Sequence, residues 1–133
     1  MLRLLLRRLT ELGDFDEARL TSDWLPTLGA ERILTLVVDL AVSINSHVSA
    51  AVLGESPPDY AESFTLAARA GMITGELAAA LSPSVGTRNV LVHAYLDIDY
   101  AQVADAIPLA IEQYRDYVRQ VATWLRDVAQ EPS

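Results

Sequence analysis

Residues 30–53 read AERILTLVVDLAVSINSHVSAAVL and form the longest uninterrupted helical pattern in the chain. Apolar residues recur in this stretch at steps of three and four, which is the period of an α-helix. Gly54 follows directly, and glycine readily ends a helix because it adopts left-handed backbone angles without steric cost. The stretch therefore predicts one long helix.

The segments before this helix predict a shorter element and a mixed region. Leucines recur at helical spacing over residues 2–12, which predicts a first short helix ended by Gly13. Residues 14–29 could form a short helix or an ordered loop, and we expect Pro26 and Gly29 to break any helix there.

Cap residues define two helices after the long one. Asp59 is an expected N-cap for a helix to residue 70, because its carboxylate can accept from a free backbone N–H. Thr74 is expected to cap another helix through residue 81. Ser82-Pro83 then predicts either a kink or a new helix start.

Helical periodicity continues to the C-terminal end of the chain. It runs from Ser82-Pro83 to about Leu96, and a last long helix is predicted from Tyr100 to about Gln130, with Pro108 kinking it or delaying its regular start. No strand alternation, repeat or linker interrupts this pattern. The sequence therefore predicts a single all-α domain over residues 1–133, an antiparallel helical bundle of four to five helices.

Composition limits the classes of function. The chain has 133 residues, 51% of them hydrophobic, and no cysteine, which excludes disulfides and thiolate metal sites and fits a cytoplasmic protein. Its net charge is −8, so it is not a general nucleic-acid binder. All ten basic residues are arginine. Any nucleic-acid chemistry would need a local positive site, for which the candidates are Arg3, Arg7, Arg8, Arg88, Arg115 and Arg119.

The apolar segment over residues 33–53 does not read as a membrane span. It contains many polar side chains, and buried polar groups are costly in lipid. Among them are Asp39, Ser43, Asn45, Ser46 and His47. We therefore expect no membrane association.

The stretch Arg-Asn-Val-Leu-Val-His-Ala-Tyr at residues 88–95 carries the strongest chemical signal. Arginine is a permanent cation and histidine as a residue type can exchange a proton in the physiological range, so Arg88 and His93 together can hold a phosphate and move a proton. On a regular helix they lie about 140° apart, so they do not share a face, although both could flank a groove formed with another helix or a second subunit. From the spacing alone, a surface arginine and a core histidine are favoured.

A polar stripe on the long helix is the second candidate feature. Its members recur at three- and four-residue steps, and its simplest interpretation is a solvent-exposed face. The members are Arg32, Thr35, Asp39, Ser43 and Ser46 or His47. The alternative hypothesis is that Asp39 or His47 lines the cleft that contains Arg88 and His93.

Several catalytic classes lack their motifs in this chain. The histidines follow no glutamate at the spacing of a di-iron bundle, and no His-Glu-x-x-His zinc motif occurs. The sequence also has no nucleophile elbow, phosphate-binding loop or dinucleotide-binding glycine cluster. We therefore expect no metal and no cofactor.

The motif at residues 88–95 resembles the signature of HEPN-domain proteins, and most closely that of the HepT-like family. That family pattern is Arg, four residues, His, one residue, Tyr, and Arg88, His93 and Tyr95 match it, with Asn89 in the usual place after the arginine. The resemblance covers residues 30–125. Other familial segments are Ala30-Glu31-Arg32, Asn45 to Val48, Tyr60-Ala61-Glu62-Ser63-Phe64, Ala70-Gly71-Met72-Ile73 and Ile98-Asp99-Tyr100.

This resemblance implies a toxin of a type VII-like toxin–antitoxin pair, with a HEPN-like fold and a homodimeric state. Such toxins resemble HEPN ribonucleases, which cleave RNA without a metal. Their partner is a small nucleotidyltransferase antitoxin of the MntA type, which silences the toxin by AMPylation of the motif tyrosine. By match, Tyr95 would be the acceptor.

The implied chemistry assigns a role to each motif residue. His93 would act as general acid or base on the 2′-hydroxyl, Arg88 would hold the phosphate, and Asn89 would orient the phosphate or the imidazole. The expected products are a 2′,3′-cyclic phosphate and a 5′-hydroxyl. A two-fold dimer would bring two His93 side chains into one cleft. The alternative is a non-catalytic HEPN module that binds a nucleotidyltransferase or a nucleotide.

Overall fold

The computed structural model describes residues 1–93 and 97–130, and in these ranges the chain forms six α-helices and no strand. The helices are α1 (Leu2–Glu11), α2 (Glu17–Ser22), α3 (Trp24–Leu53), α4 (Tyr60–Arg69), α5 (Gly75–His93) and α6 (Tyr100–Gln130). The predicted all-α class is confirmed. The helix number exceeds the expected four to five because residues 17–22 form a short helix of their own.

The long helix α3 begins earlier than the sequence predicts. It starts at Trp24 and passes through Pro26 and Gly29, so the expectation that these two residues break the helix is wrong. Pro26 lies in the first turn, where a backbone N–H has no acceptor within the helix, and the missing donor therefore costs nothing. The helix ends as predicted, with Gly54 in the left-handed region at φ 68°.

Helix α5 is continuous where the sequence allowed a new start. Ser82-Pro83 lies inside the single helix Gly75–His93, so Arg88 and His93 share one helix with the residues that pack it. The predicted caps are confirmed: the Thr74 hydroxyl accepts from the Leu77 N–H at 3.1 Å, and Asp59 accepts from the Glu62 N–H at 2.8 Å. The predicted end near Leu96 lies outside the described residues.

Helix α6 is described as one helix from Tyr100 to Gln130, and Pro108 does not delay its start. Asp99 caps this start, because its carboxylate accepts from the Ala101 N–H at 3.0 Å. α6 runs antiparallel to α5: the Thr74 N–H at the beginning of α5 donates to Gln120 far along α6. The end of α5 that carries the motif therefore lies beside the beginning of α6.

Helix α3 is the centre of the bundle. Within the described ranges it contacts all five other helices. It is long and apolar enough to cross a membrane by length and composition alone, a test that core helices of soluble proteins also pass. Here its apolar residues, such as Ala30, Val37 and Ala41, are buried against the neighbouring helices.

A fully buried polar network joins α3, α4 and α6. The Asn45 amide donates to the Ser63 hydroxyl at 3.2 Å, and the Tyr117 hydroxyl donates to the Asn45 side-chain oxygen at 2.6 Å. The Ser63 hydroxyl in turn donates to the Tyr60 carbonyl at 2.7 Å. The Tyr117 ring meets Phe64 edge-on, with ring centroids 6.3 Å apart. The network fixes how these three helices are placed relative to each other.

Removal of the Tyr117 hydroxyl should show how much this network contributes to the free energy of unfolding. We expect Tyr117→Phe to lower the free energy of unfolding by about 1–3 kcal/mol, because the buried Asn45 oxygen loses its donor and cannot reach water. Urea denaturation followed by circular dichroism measures the change. A loss smaller than about 0.5 kcal/mol would show that the network does not hold α6 to α3.

Candidate functional site

Arg88 is held on the inner side of α5 by a carboxylate from α3. Its Nε donates to Asp39 Oδ1 at 2.9 Å, and the side chains are 16% and 33% exposed, so this ion pair is far more enclosed than a surface pair. Nη1 of Arg88 donates to the side-chain oxygen of Asn89 at 3.3 Å. The guanidinium is therefore oriented before any ligand arrives.

An aromatic ring supports the same guanidinium. The centre of the Arg88 guanidinium lies 4.8 Å from the centroid of the Tyr60 ring, which is cation–π distance. Tyr60 is the first residue of α4, directly after the Asp59 cap, and its carbonyl accepts from Ser63. The buried network thus ends at the residue that supports Arg88. The sequence alone assigns no role to Tyr60, because nothing in one sequence shows which ring lies beside an arginine 28 positions later.

His93 lies apart from Arg88 within one chain. It is the last described residue of α5 and is exposed, and no hydrogen bond links it to Arg88 in the described ranges. Five residues separate the two side chains by about 7.5 Å along the axis and 140° around it. The expectation of a core histidine is wrong, since His93 is exposed. The side chains of Asn89, Val90 and Val92 around it are exposed as well.

The other predicted residues fall in three places. Asp39 contacts Arg88, as the cleft hypothesis requires. His47 is exposed two turns further along α3 and lines a different groove, formed with α6 by Val121 and Trp124. Tyr95 lies outside the described residues. The structure therefore brings together Asp39, Arg88 and Asn89, and it places His47 elsewhere.

The polar stripe of α3 is not one uniform solvent face. Arg32, Ser43 and His47 are exposed, whereas Thr35 is buried and Asp39 is half-buried against Arg88. The stripe is therefore exposed to solvent at some positions and packed at others. At Asp39 it contacts α5 through Arg88.

A cavity of about 310 Å³ lies between α3, α5 and α6, beside Arg88. Its walls are mostly apolar, with Arg88 and Asp105 among the charged residues that line it. Next to it the Ser84 and Tyr114 hydroxyls lie 2.6 Å apart and join α5 to α6. Burial raises the pKa of the Tyr114 phenol well above its usual value, so Tyr114 stays neutral. In the described ranges no group of three or more His, Asp or Glu side chains is placed to hold a metal ion.

Comparison of the sequence with known proteins identifies close relatives. The family model described as ribonuclease HepT-like matches residues 2–121. The chain is 38% identical over 135 residues to the tRNA nuclease HepT of Aphanizomenon flos-aquae (strain 2012/KM1/D3), with 98% of this chain and 90% of that protein covered.

Solved structures share the fold. A tri-AMPylated Shewanella oneidensis HEPN toxin in complex with an MNT antitoxin matches with a TM-score of 0.80 and 20% identity, over 92% of this chain and 91% of that chain. A toxin–antitoxin structure with AMP-PNP also gives a TM-score of 0.80 at 20% identity, with 92% of each chain covered. At this identity the matches establish the all-α architecture.

The enclosed ion pair should contribute more to stability than an exposed one. We expect Asp39→Ala to lower the free energy of unfolding by about 1–2 kcal/mol, because Arg88 stays partly buried without its carboxylate. The matched control is Glu55→Ala, which breaks the exposed pair with Arg69 and should cost less than about 1 kcal/mol. Equal effects in thermal or urea denaturation would contradict a structural role for the Asp39–Arg88 pair.

Proposed function

The chain belongs to the ribonuclease HepT-like family, and from this we propose that it is a metal-independent endoribonuclease toxin of a type VII-like toxin–antitoxin pair. The observation that carries the proposal is the oriented Arg88, which Asp39, Asn89 and Tyr60 hold five residues before an exposed histidine. Because the curated relative is a tRNA nuclease, transfer RNA is the proposed substrate class.

Arg88 would bind the scissile phosphate. Asp39 occupies its Nε and Asn89 occupies Nη1, while Nη2 forms no hydrogen bond within the described residues. A phosphate oxygen can accept from that nitrogen and the charge that builds on it during cleavage is then offset by a fixed cation. Preorganisation by Asp39 and Tyr60 means that no reorientation is needed during the reaction.

His93 would move the proton. RNA carries a 2′-hydroxyl next to each phosphodiester, so removal of its proton creates a nucleophile that is already in place. Attack on the phosphorus breaks the bond to the 5′-oxygen, which takes up a proton and leaves as a 5′-hydroxyl, while the other product is a 2′,3′-cyclic phosphate. The imidazole suits either transfer because histidine is the side chain that most often serves as a general acid or base.

A homodimer would complete the site. One exposed His93 cannot serve both oxygens at once, and it points away from Arg88 of its own chain by about 140°. A two-fold axis near the exposed Val90 and Val92 would place two His93 side chains in one cleft with two Arg88 side chains at its walls. Such a protein would act in the cytoplasm, where its RNA substrate is.

Tyr95 would be the residue that the MntA-type nucleotidyltransferase modifies. Of the other four tyrosines, Tyr114 and Tyr117 are fully buried and hydrogen-bonded, so an enzyme cannot reach their hydroxyls. Tyr95 lies two residues after His93 in the sequence. An AMP group there would bring a phosphate charge and a bulky nucleoside next to the site and would compete with RNA for Arg88.

A non-catalytic HEPN module that binds a nucleotidyltransferase or a nucleotide is the second candidate. The favouring observations are the net charge of −8, which repels RNA, and the Asp39 carboxylate, which offsets part of the Arg88 charge. The two candidates differ in whether the chain alone cleaves RNA.

Cleavage and its dependence on one histidine test the enzyme proposal. We expect the purified wild type to cleave tRNA in the presence of EDTA and to leave 2′,3′-cyclic ends, and His93→Ala to lose at least about 100-fold in rate, the usual contribution of acid–base catalysis. His47→Ala is the matched control, because His47 is also exposed but lines a separate groove. Activity that vanishes with EDTA, or that survives in His93→Ala, would exclude the mechanism.

Co-expression with a nucleotidyltransferase encoded beside the gene tests the proposed AMPylation of Tyr95. We expect the intact mass of the wild type to rise by whole AMP units and the Tyr95→Phe variant to show no rise. Tyr100→Phe is the control, because Tyr100 is a half-buried tyrosine at the start of α6 and should not change the modification. A mass increment that persists in Tyr95→Phe would place the modification on another residue.

A further inference from the structure

Four of the ten arginines meet at one groove that is remote from the motif. The groove lies between α1 and α6 and has a volume of about 490 Å³. Its charged lining consists of Arg3, Arg115, Arg119 and Arg126, and its remaining lining residues are Leu6, Val118 and Ala122. No acidic residue of the described ranges lines it. On a protein with a net charge of −8, this is a local reversal of sign.

Within the described residues, three of these four arginines form no ion pair. Arg3 and Arg115 lie within 4 Å of no carboxylate in the described residues, and Arg115 is anchored instead by donating to the Thr10 hydroxyl at 3.2 Å. Arg126 likewise donates to the hydroxyl of Thr123 at 3.3 Å. Arg119 is paired with Asp116. Hydroxyl partners orient an arginine without cancelling its charge, so the groove keeps its positive potential.

The nearby carboxylates do not face the groove. They lie on the opposite side of the row that Arg115 and Arg119 form on α6. Arg115 and Arg119 also border a second depression, between α5 and α6, which Glu76, Glu112 and Asp116 line. On the side that faces α1, the charged residues of the described lining are all arginines. An anion would therefore be attracted to the α1 side and repelled from the other.

The spacing along α6 fits an extended anion and not a single small one. Arg115 and Arg126 are eleven residues apart, which is about 17 Å along the helix. Arg3 approaches the same groove from α1, and Arg7 continues its face one turn later. A chain of phosphates can contact such a row at several points, whereas one phosphate contacts one or two of its members.

We propose that this arginine groove binds the phosphate backbone of the RNA substrate at a distance from the cleavage site. The proposal rests on the ribonuclease function argued above. Arg115 lies about 22 Å along α6 from Tyr100, near which the motif end of α5 lies, so an RNA must span at least that distance to occupy the groove and the cleavage site together. Contacts of this kind position an RNA without reading its bases.

The groove also resolves a conflict between charge and substrate. A net charge of −8 disfavours association with any RNA, and one phosphate at Arg88 cannot offset that repulsion. Two further phosphate contacts on arginines without carboxylate partners supply the missing affinity. Arginine suits this task because its guanidinium donates two parallel hydrogen bonds to phosphate oxygens.

Binding measurements in a catalytically inactive background test the groove directly. The variant Arg3→Gln/Arg115→Gln, combined with His93→Ala, should bind a tRNA transcript several-fold more weakly than His93→Ala alone. The slope of log affinity against log salt concentration should become shallower by roughly 1.4, since each lost single-strand phosphate contact removes about 0.7. The control is Arg8→Gln/Arg69→Gln in the same background. It removes the same charge from two arginines that are already ion-paired, so its slope should match the parent.

Cleavage measurements separate this proposal from the ribonuclease function. In active protein, Arg3→Gln/Arg115→Gln should lower kcat/KM for the tRNA transcript and leave cleavage of a trinucleotide unchanged, because a trinucleotide cannot reach the groove. The proposal that the groove binds RNA would be overturned by an unchanged salt slope. It would also be overturned if kcat/KM fell equally on the tRNA transcript and on the trinucleotide. If the double variant binds RNA normally but no longer co-purifies with the antitoxin, the groove binds a protein and the proposal is wrong. If the wild type cleaves neither RNA, the ribonuclease function is contradicted. The salt slope still tests whether the groove binds RNA.

Discussion

The side-chain amide of Asn45 is the constraint on which the arrangement of this bundle depends. It is fully buried in the middle of α3, and a buried amide without partners costs several kcal/mol. Its partners come from two other helices, the Ser63 hydroxyl from α4 and the Tyr117 hydroxyl from α6. Apolar packing alone would allow these helices to slide, whereas the amide accepts only the register in which both hydroxyls reach it. The residue thus converts a generally hydrophobic interface into one specific arrangement.

The functional site inherits its geometry from this constraint. Ser63 donates to the carbonyl of Tyr60, whose ring supports the guanidinium of Arg88, and Asp39 projects from α3 less than two turns before Asn45. Arg88 is therefore fixed by two helices that the same amide has placed. His93 has no comparable support and stands exposed at the helix end. A fixed Arg88 and an exposed His93 are consistent with the proposed site, which a second copy of the chain would complete.

The sequence predicts the elements of this fold better than their contacts. Helical periodicity and caps such as Asp59 and Thr74 locate most helices, since both are local properties. The start of α3 was missed because proline is tolerated in a first turn, and that tolerance depends on where the helix begins. The sequence spacing of Asp39 is compatible with a solvent-exposed position and with a contact to Arg88. Only the packing of α5 against α3 decides between the two. Tyr60 could not be assigned for the same reason, because cation–π contact between α4 and α5 is a tertiary property.

The placement of its charges would allow this acidic chain to bind RNA as proposed. With no lysine, every cation of a side chain is a guanidinium, which keeps its charge at any working pH and binds phosphate with a fixed geometry. Arg19 and Arg69 are paired with carboxylates, so they add little to attraction at a distance. Within the described residues, most arginines without a carboxylate partner lie at the α1–α6 groove, and Nη2 of Arg88 forms no hydrogen bond. Net charge describes the field far from the protein, while binding depends on the field within about 10 Å of each site, where salt has not yet screened it. A chain can therefore repel RNA in general and still bind it in one orientation.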